Sequence, residues 1–335
     1  MAARSNRVTI SDVARQAGVS SATVSRALSG NRPMSPELAE HVRKTAQELG
    51  YRTNLLGRAL RQQRSSVVGL LVPDLDNPFF ASLAEHLSRV VETSDMELLV
   101  ASAGGSVENE ARLISSFLDR QVAALVAIPC DEIESAPGLE QAISHTLTVQ
   151  LDRRVLTTGA YYVGCDNRHG MDLIAEHVAH DVDTTAQPVV YVGAETQSSS
   201  AHERLDGFRR HFPDSPVFLG DFSTQWGQEA ADQILESGLS AATIVATADV
   251  IALGLMSRLH ATGHRIPEDF RVIGFDGVGV TPFAHPTLTT VRQPVEAISR
   301  RILDLVLELP QEQDEHEVRL EPTLVVGPSS PARDA

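Results

Sequence analysis

The sequence predicts a mixed fold class: a small helix-turn-helix head of three helices, followed by an α/β body with parallel sheets in two lobes. Three observations predict it. Helix start and stop signals crowd the first fifty residues, short β-branched runs then alternate with helix-length stretches, and charge is divided between the two parts. Residues 1–64 hold eleven basic and four acidic side chains, a balance of +7, whereas the rest holds 17 basic and 40 acidic, a balance of −23. The formal charge of −16 thus hides a cationic head on an acidic body, and a polyanion partner is expected for the head alone.

The head begins with "TISDVARQAGVSSATVSRALSG" at residues 9–30. Thr9 followed three residues later by Asp12 is a capping box. Ile10, Val13, Ala14 and Ala17 then share one helical face, and Gly18 suits a left-handed stop. Ser20 caps a second helix with Val24, Ala27 and Leu28 inward and Ser21, Ala22, Ser25 and Arg26 outward. Ser35 and Pro36 open a third, which buries Leu38, Val42, Ala46 and Leu49 before Gly50. Two short helices joined by a glycine-containing turn form a helix-turn-helix, whose second helix enters a DNA major groove. A three-helix bundle whose second helix merely packs is the plainer alternative. Small outward residues let such a helix approach base edges. Arg26 reaches guanine O6 and N7 with two donors, worth about 1–3 kcal/mol of discrimination. Ser20, Thr23 and Ser25 are placed to bond phosphates. Thr9, at the start of the first helix, completes this set.

In the body, the expected strands are 67–72, 97–102, 124–129 and 146–151, then 189–194, 243–247 and 271–276. Strands separated by helix-length stretches make parallel βαβ units, and their continuous apolar character fits strands covered on both faces. Ligands of such sheets bind beyond the strand C-termini. Asn77, Phe79 and Phe80 follow the first strand, and Asp152 and Arg153 follow the fourth. Arg204 opens a helix, Phe222 lies in "GDFS", Asp276 ends "RVIGFD", and Gln293 follows "LTTV". Each alone is explained by capping or core packing. Together, carboxylates, arginines, amides and flat rings suit a sugar or similar small polar ligand.

An enzyme is disfavoured: no G-x-G-x-x-G follows the first strand, and neither a P-loop nor G-x-S-x-G occurs. Cys130 and Cys165 are isolated thiols in apolar settings, so packing is expected rather than redox or metal work. His169, His177 and His180 read as a surface helix. No cofactor and no metal are expected. No apolar run approaches the roughly 18 residues of a membrane span, and the start lacks a secretory signal, so a cytoplasmic location is expected. The tail "GPSSPARDA" reads as disordered. With no heptad run for a coiled coil, a dimer is the expected assembly.

The stretch "VTISDVARQAGVSSATVSRALSG" resembles the DNA-binding head of the lac repressor family of bacterial transcription regulators, and "GYRTNLLGRALRQQRS" at 50–65 is similar to that family's hinge. "DNPFF", "ADVIALG", "GFDG" and "PTLTTVRQP" resemble markers of its effector domain, related to periplasmic sugar-binding proteins. The resemblance implies that Ser21, Ala22 and Arg26 face bases, that Asn54 contacts the DNA backbone, and that Ala59 and Leu60 enter the minor groove. Leu60 among Arg58, Arg61 and Arg64 makes physical sense as a wedge between base steps, in a segment too short to be helical alone. The resemblance also implies effector contacts from Asn77, Phe79, Phe80, Asp152, Arg153, Arg204, Phe222, Asp276 and Gln293. It divides the chain into a head (1–50), a hinge (51–65) and an effector and dimerisation domain (66–335). Lobe 1 then spans about 66–165 and 293–322, and lobe 2 about 166–292 and 323–335. Two residues depart from the family pattern. Thr53 replaces a proline before the hinge. Ala248 replaces an asparagine before Asp249, which points to an unusual ligand or brings Asp249 closer to it. The function implied is a dimeric repressor of a near-palindromic operator, switched by a small ligand between the lobes. A transport-type solute receptor and an α/β enzyme are the weaker readings.

Overall fold

The computed structural model describes residues 8–29, 34–49, 65–181, 187–194, 198–279, 281, 284–308 and 316–332. Its two compact units are a head, Met1–Ser65, and a body, Ser66–Ala335. Asn54, Ala59 and Leu60 of the expected hinge lie outside the described residues.

The head holds α1 (Ile10–Ala17), α2 (Ser21–Ser29) and α3 (Pro36–Glu48). The Thr9 hydroxyl accepts from the Asp12 amide and the Asp12 carboxylate accepts from the Thr9 amide, so two free donors of α1 are satisfied reciprocally. Gly18, at φ 67°, ends α1 in the left-handed conformation that a side chain would resist. Val13, Ala14, Ala17, Val24, Ala27, Val42 and Ala46 form the core of the three helices.

The body contains two six-stranded sheets. In the first the order is β11 (Glu317–Leu320), β5 (Tyr161–Cys165), β4 (Leu147–Leu151), β3 (Ala124–Ala127), β1 (Val67–Val72), β2 (Glu97–Ser102). All its pairings are parallel. In the second it is β12 (Thr323–Val325), β10 (Thr289–Arg292), β9 (Phe270–Asp276), β8 (Ala242–Ala246), β6 (Val189–Ala194), β7 (Val217–Gly220), with β12 alone antiparallel to its neighbour. The helices are α4 (Pro78–Glu92), α5 (Val107–Asp119), α6 (Ala136–Ile143), α7 (Asn167–Asp181), α8 (Ser199–His211), α9 (Thr224–Glu236), α10 (Asp249–Ala261) and α11 (Val295–Glu308).

The chain passes between the lobes three times. It leaves the first sheet after β5 for α7, which packs on α8 and β12; it returns after β10 with α11, which packs on α4 and β5; and it leaves again between β11 and β12. Central strands such as β1, β3 and β8 are buried on both faces, as parallel strands between helix layers must be. The second lobe is tightest where α9 meets α10: a Cβ on Gly254 would collide with the Thr224 carbonyl, so only glycine admits this approach. Among the described residues no helix is long and apolar enough to cross a membrane.

Two expectations are corrected. The tail is not loose up to residue 332, because Ser329 and Ser330 are fully buried. The Ser329 hydroxyl donates to the Val272 carbonyl at 2.6 Å and accepts from the Thr289 amide at 2.8 Å, so the serines replace ladder hydrogen bonds that β9 and β10 would otherwise lack. His177 is not on a surface. It is buried, with Nε2 3.0 Å from the Ser330 hydroxyl.

Ser329→Ala is expected to leave that buried amide and carbonyl unpartnered and to destabilise the protein by about 1–3 kcal/mol in chemical unfolding. Unchanged stability would show that the tail contributes nothing to the fold.

Candidate functional site

In the head, Ser20, Ser21, Ala22 and Arg26 are exposed on or beside α2, while Thr23 is half-buried. The side chain of Ser25 lies outside the described residues. The Ser20 hydroxyl accepts from the Thr23 amide at 3.1 Å and lies 2.8 Å from its hydroxyl, so Ser20 fixes the first turn of α2. Arg26 reaches back to the Ala22 carbonyl at 3.4 Å. The Thr9 hydroxyl donates to Asp12 at 2.6 Å, which makes Thr9 chiefly a cap. What α2 presents outward is therefore small and polar, with one guanidinium.

In the body, Asn77, Phe79, Phe80, Asp152, Arg153, Ser200, Arg204, Phe222 and Asp276 converge around one cavity between the lobes. They enclose about 10 Å³, about the room of one water. Each comes from the end or start of an element. Asn77 caps α4, its side-chain oxygen accepting from the Phe79 amide at 3.0 Å. Asp152 follows β4 and Asp276 ends β9, and both hold positive φ, 61° and 119°. Backbone strain at two facing carboxylates from opposite lobes is the kind that persists at binding sites.

Arg204 does not open its helix. Its helix, α8, begins at Ser199, and Arg204 sits in the second turn, buried. Its Nε donates to the Asn167 side chain at 2.9 Å, and one terminal nitrogen donates to the Thr247 carbonyl at 2.6 Å and the Asp276 carboxylate at 3.4 Å. Gln293 is placed behind the lining, where its amide donates to Asp276 at 2.9 Å. Asp249 stands apart from the cavity. One oxygen accepts from the Thr290 hydroxyl at 2.6 Å and the other from the Val278 amide at 2.9 Å, so its carboxylate braces the end of β9.

Sequence reasoning missed a second cluster beside the cavity. Glu203, the neighbour of Arg204 on α8, is held by both terminal nitrogens of Arg319 at 2.6 and 3.0 Å, by Arg154 at 3.3 Å and by the Asn167 amide at 2.9 Å. Arg154 and Arg319 belong to lobe 1, Glu203 and Asn167 to lobe 2. Asn167 thus donates to the residue that clamps the lobes and accepts from the residue that faces the cavity. Burial pushes the Glu203 carboxyl up, but its hydrogen bonds from Arg319 and Asn167 prevail and hold it below the usual range. Asn167 opens the helix after β5. That strand was not foreseen, so nothing marked Asn167 as lying at a strand end.

Burial raises the carboxyls of Asp249 and Asp276. Asp276 adds to the rise at Asp249, and at Asp276 burial outweighs the pull of Arg204, with the Asp152 carboxylate adding a smaller push. Burial likewise pushes the half-buried Cys130 thiol up to about 12, with Glu110 adding to it, so it stays protonated and unreactive.

Comparison with known proteins places these features. Residues 9–54 match the model of bacterial regulatory proteins of the lacI family, and residues 178–330 match that of a periplasmic binding protein-like domain. The chain is 32% identical over 308 residues to the HTH-type transcriptional regulator AscG of Escherichia coli, covering 88% of this chain and 90% of that protein. It is 30% identical to the ribose operon repressor of Halalkalibacterium halodurans, covering 88% and 89%. Among solved structures, the lac repressor dimer bound to operator and the anti-inducer ONPF has the same fold, with a TM-score of 0.85 at 24% identity over 98% of this chain and all of that one.

Because the fold favours the protonated Asp249–Asp276 pair, the stability it adds is full below the unfolded carboxyl range and is lost as pH rises through neutrality. Asp249→Asn mimics the protonated form: its oxygen accepts from the Val278 amide, and its NH2 donates to the Thr290 hydroxyl, which reverses that bond. The variant is expected to gain on the parent between about pH 5 and about pH 8, by about 1.4 kcal/mol per tenfold change in proton affinity. Parallel stability curves across that range would exclude raised carboxyls at this pair.

Proposed function

The chain belongs to the lacI family of bacterial regulatory proteins, and on that premise we propose that it is a homodimeric repressor of a near-palindromic operator, switched by a sugar or related metabolite in the cleft between its lobes. A DNA-binding regulator with an effector domain is what the family provides, not an enzyme.

The observation that carries the ligand reading is the facing pair of strained carboxylates, Asp152 and Asp276, one per lobe, with the buried Arg204 beside them. Ligand hydroxyls meet carboxylates, guanidinium and the Asn77 amide, while ring C–H faces meet Phe79, Phe80 and Phe222. Gln293 orients Asp276 from behind, and Asp249 braces the strand rather than touching ligand. The space of about 10 Å³ means that a sugar enters only when lining side chains or lobes move apart. Binding is thereby tied to lobe geometry.

The operator reading rests on the exposed Ser21, Ala22 and Arg26 of α2; in it Ser20, Thr23 and Ser25 bond phosphates, while Thr9 serves the head as the cap of α1. Asn54, Ala59 and Leu60 of the hinge complete it, as a backbone contact and a minor-groove wedge. A near-palindrome needs two heads related by two-fold symmetry, hence the dimer. A relative named for a ribose operon and a neighbour solved with operator and a small anti-inducer support both halves. To switch, the ligand must favour one lobe arrangement by about 1–3 kcal/mol. One that separates the hinges releases DNA; one that aligns them tightens binding.

Arg26→Ala is expected to weaken operator binding by about 1–3 kcal/mol and to relax preference at one base pair in each half-site, read by gel shift over an operator library. Unaltered preference would sink the assigned register of α2. Calorimetric screening against sugars identifies the ligand, and Asp276→Ala is expected to lower its affinity at least about tenfold and to blunt its effect on operator binding. A titration matching the parent would place the site elsewhere.

A further inference from the structure

Four arginines lie in or beside the cleft, and three of them form ion pairs or hydrogen bonds through the guanidinium, although the Arg154 Nε is buried without a partner. Arg204 bonds Asn167, Thr247 and Asp276, while Arg154 and Arg319 bond Glu203 and Glu317. Arg153 differs. It is only 8% exposed, yet its guanidinium makes no hydrogen bond among the described residues, and Nε is buried without a partner. The nearest carboxylate oxygen is that of Asp152, 3.9 Å from Nε. The guanidinium lies between two aromatic rings, 5.5 Å from the centre of Phe80 in lobe 1 and 5.3 Å from that of Phe222 in lobe 2.

The other groups around it supply charge but no hydrogen bond to the guanidinium. Asp74 is occupied in accepting from the Asn77 amide at 2.9 Å, and the Cys130 thiol stays protonated. The other oxygen of Asp152 is also buried without a partner. Ring faces attract a guanidinium but accept none of its five in-plane N–H groups. Burying the Nε donor unmet is unfavourable unless something arrives to meet it. The planar fork matches two oxygens of a carboxylate or phosphate, and in a dry cleft such a bond is strong.

We propose that Arg153 is the specificity-determining residue of the cleft and that the effector carries an anionic group, a carboxylate or phosphate, on a hydroxylated skeleton. This rests on the cleft being the effector site. The anionic oxygens bind Arg153 between the rings of Phe80 and Phe222, and a ligand hydroxyl takes the open oxygen of Asp152. Closing Phe222 over Arg153 and its bound anion makes the contact with lobe 2 depend on the ligand's charge.

The test is calorimetric titration of the full-length protein with matched pairs: glucose against glucuronate, galactose against galacturonate, and ribose against its phosphate ester. In at least one pair the anionic member is expected to bind at least about tenfold tighter than the neutral one. Arg153→Gln is expected to bring that ratio to within about threefold, and Arg153→Lys to keep part of it, as a charge without the fork. Should the Gln variant fail to fold, the parent's ratio decides. Neutral members binding as tightly as anionic ones, or a preference that survives Arg153→Gln, would overturn the proposal and leave the effector site standing. No binding by either class, with no effect on operator affinity, would overturn the site along with it.

Discussion

One carboxylate, that of Glu203, holds the two lobes in register. It is buried, gripped by the fork of Arg319 and touched by Arg154, so two cations of lobe 1 converge on one anion of lobe 2. A buried ion cluster of this kind is a poor source of net stability, since desolvation offsets most of the attraction, but it tolerates few alternative geometries. The separation of Asp152 on one lobe from Asp276 on the other follows from that geometry. So does the position of Arg204, next to Glu203 along α8 and joined to it through Asn167. A shift in the clamp moves the cleft, and a group bound to Arg204 or Asp276 pulls on the clamp through one amide. That is a physical route by which a small molecule biases two lobe arrangements.

The cleft itself concentrates unfavourable elements that the rest of the fold supports. Two aspartates in left-handed backbone, buried carboxyls pushed up by burial and a guanidinium without hydrogen bonds each raise the energy of the folded chain. They are held in place by parallel strands covered on both faces and by helices packed as closely as α9 on α10. A ligand that satisfies these groups gains affinity without ordering them, because the scaffold already has.

How much was legible in the sequence depended on segment length. The capping box at Thr9, the glycine at 18 and the apolar spacing of α1 to α3 are local, and local signals do not need the rest of the chain. The long strands β1, β2, β6 and β9 were equally clear from their β-branched runs. What escaped were β5, β7, β10, β11 and β12, each of three to five residues; β3, β4 and β8 are equally short, but their apolar and β-branched runs gave them away. "YYVGC" and "EVRL" gain their strand character only from neighbours far along the chain. Missing β5 hid Asn167. The helix was expected to open at Arg204 because serine is a poor helix former, although α8 begins at Ser199 and Ser200 lines the cavity. The tail misled in the same way: proline and serine suggest disorder, but Ser329 and Ser330 are buried as surrogate ladder partners. Asp249 followed from a family pattern at Ala248, and only its three-dimensional hydrogen bonds reveal a bracing role.

The three passages of the chain between sheets, after β5, after β10 and after β11, carry a topological consequence. Neither lobe is a continuous stretch of polypeptide, so no single protease nick releases one from the other. The first sheet is incomplete until β11 is available to pair with β5. A ribosome-bound chain stopped before that strand would hold neither finished lobe nor cleft, and ligand sensing therefore arrives all at once rather than lobe by lobe.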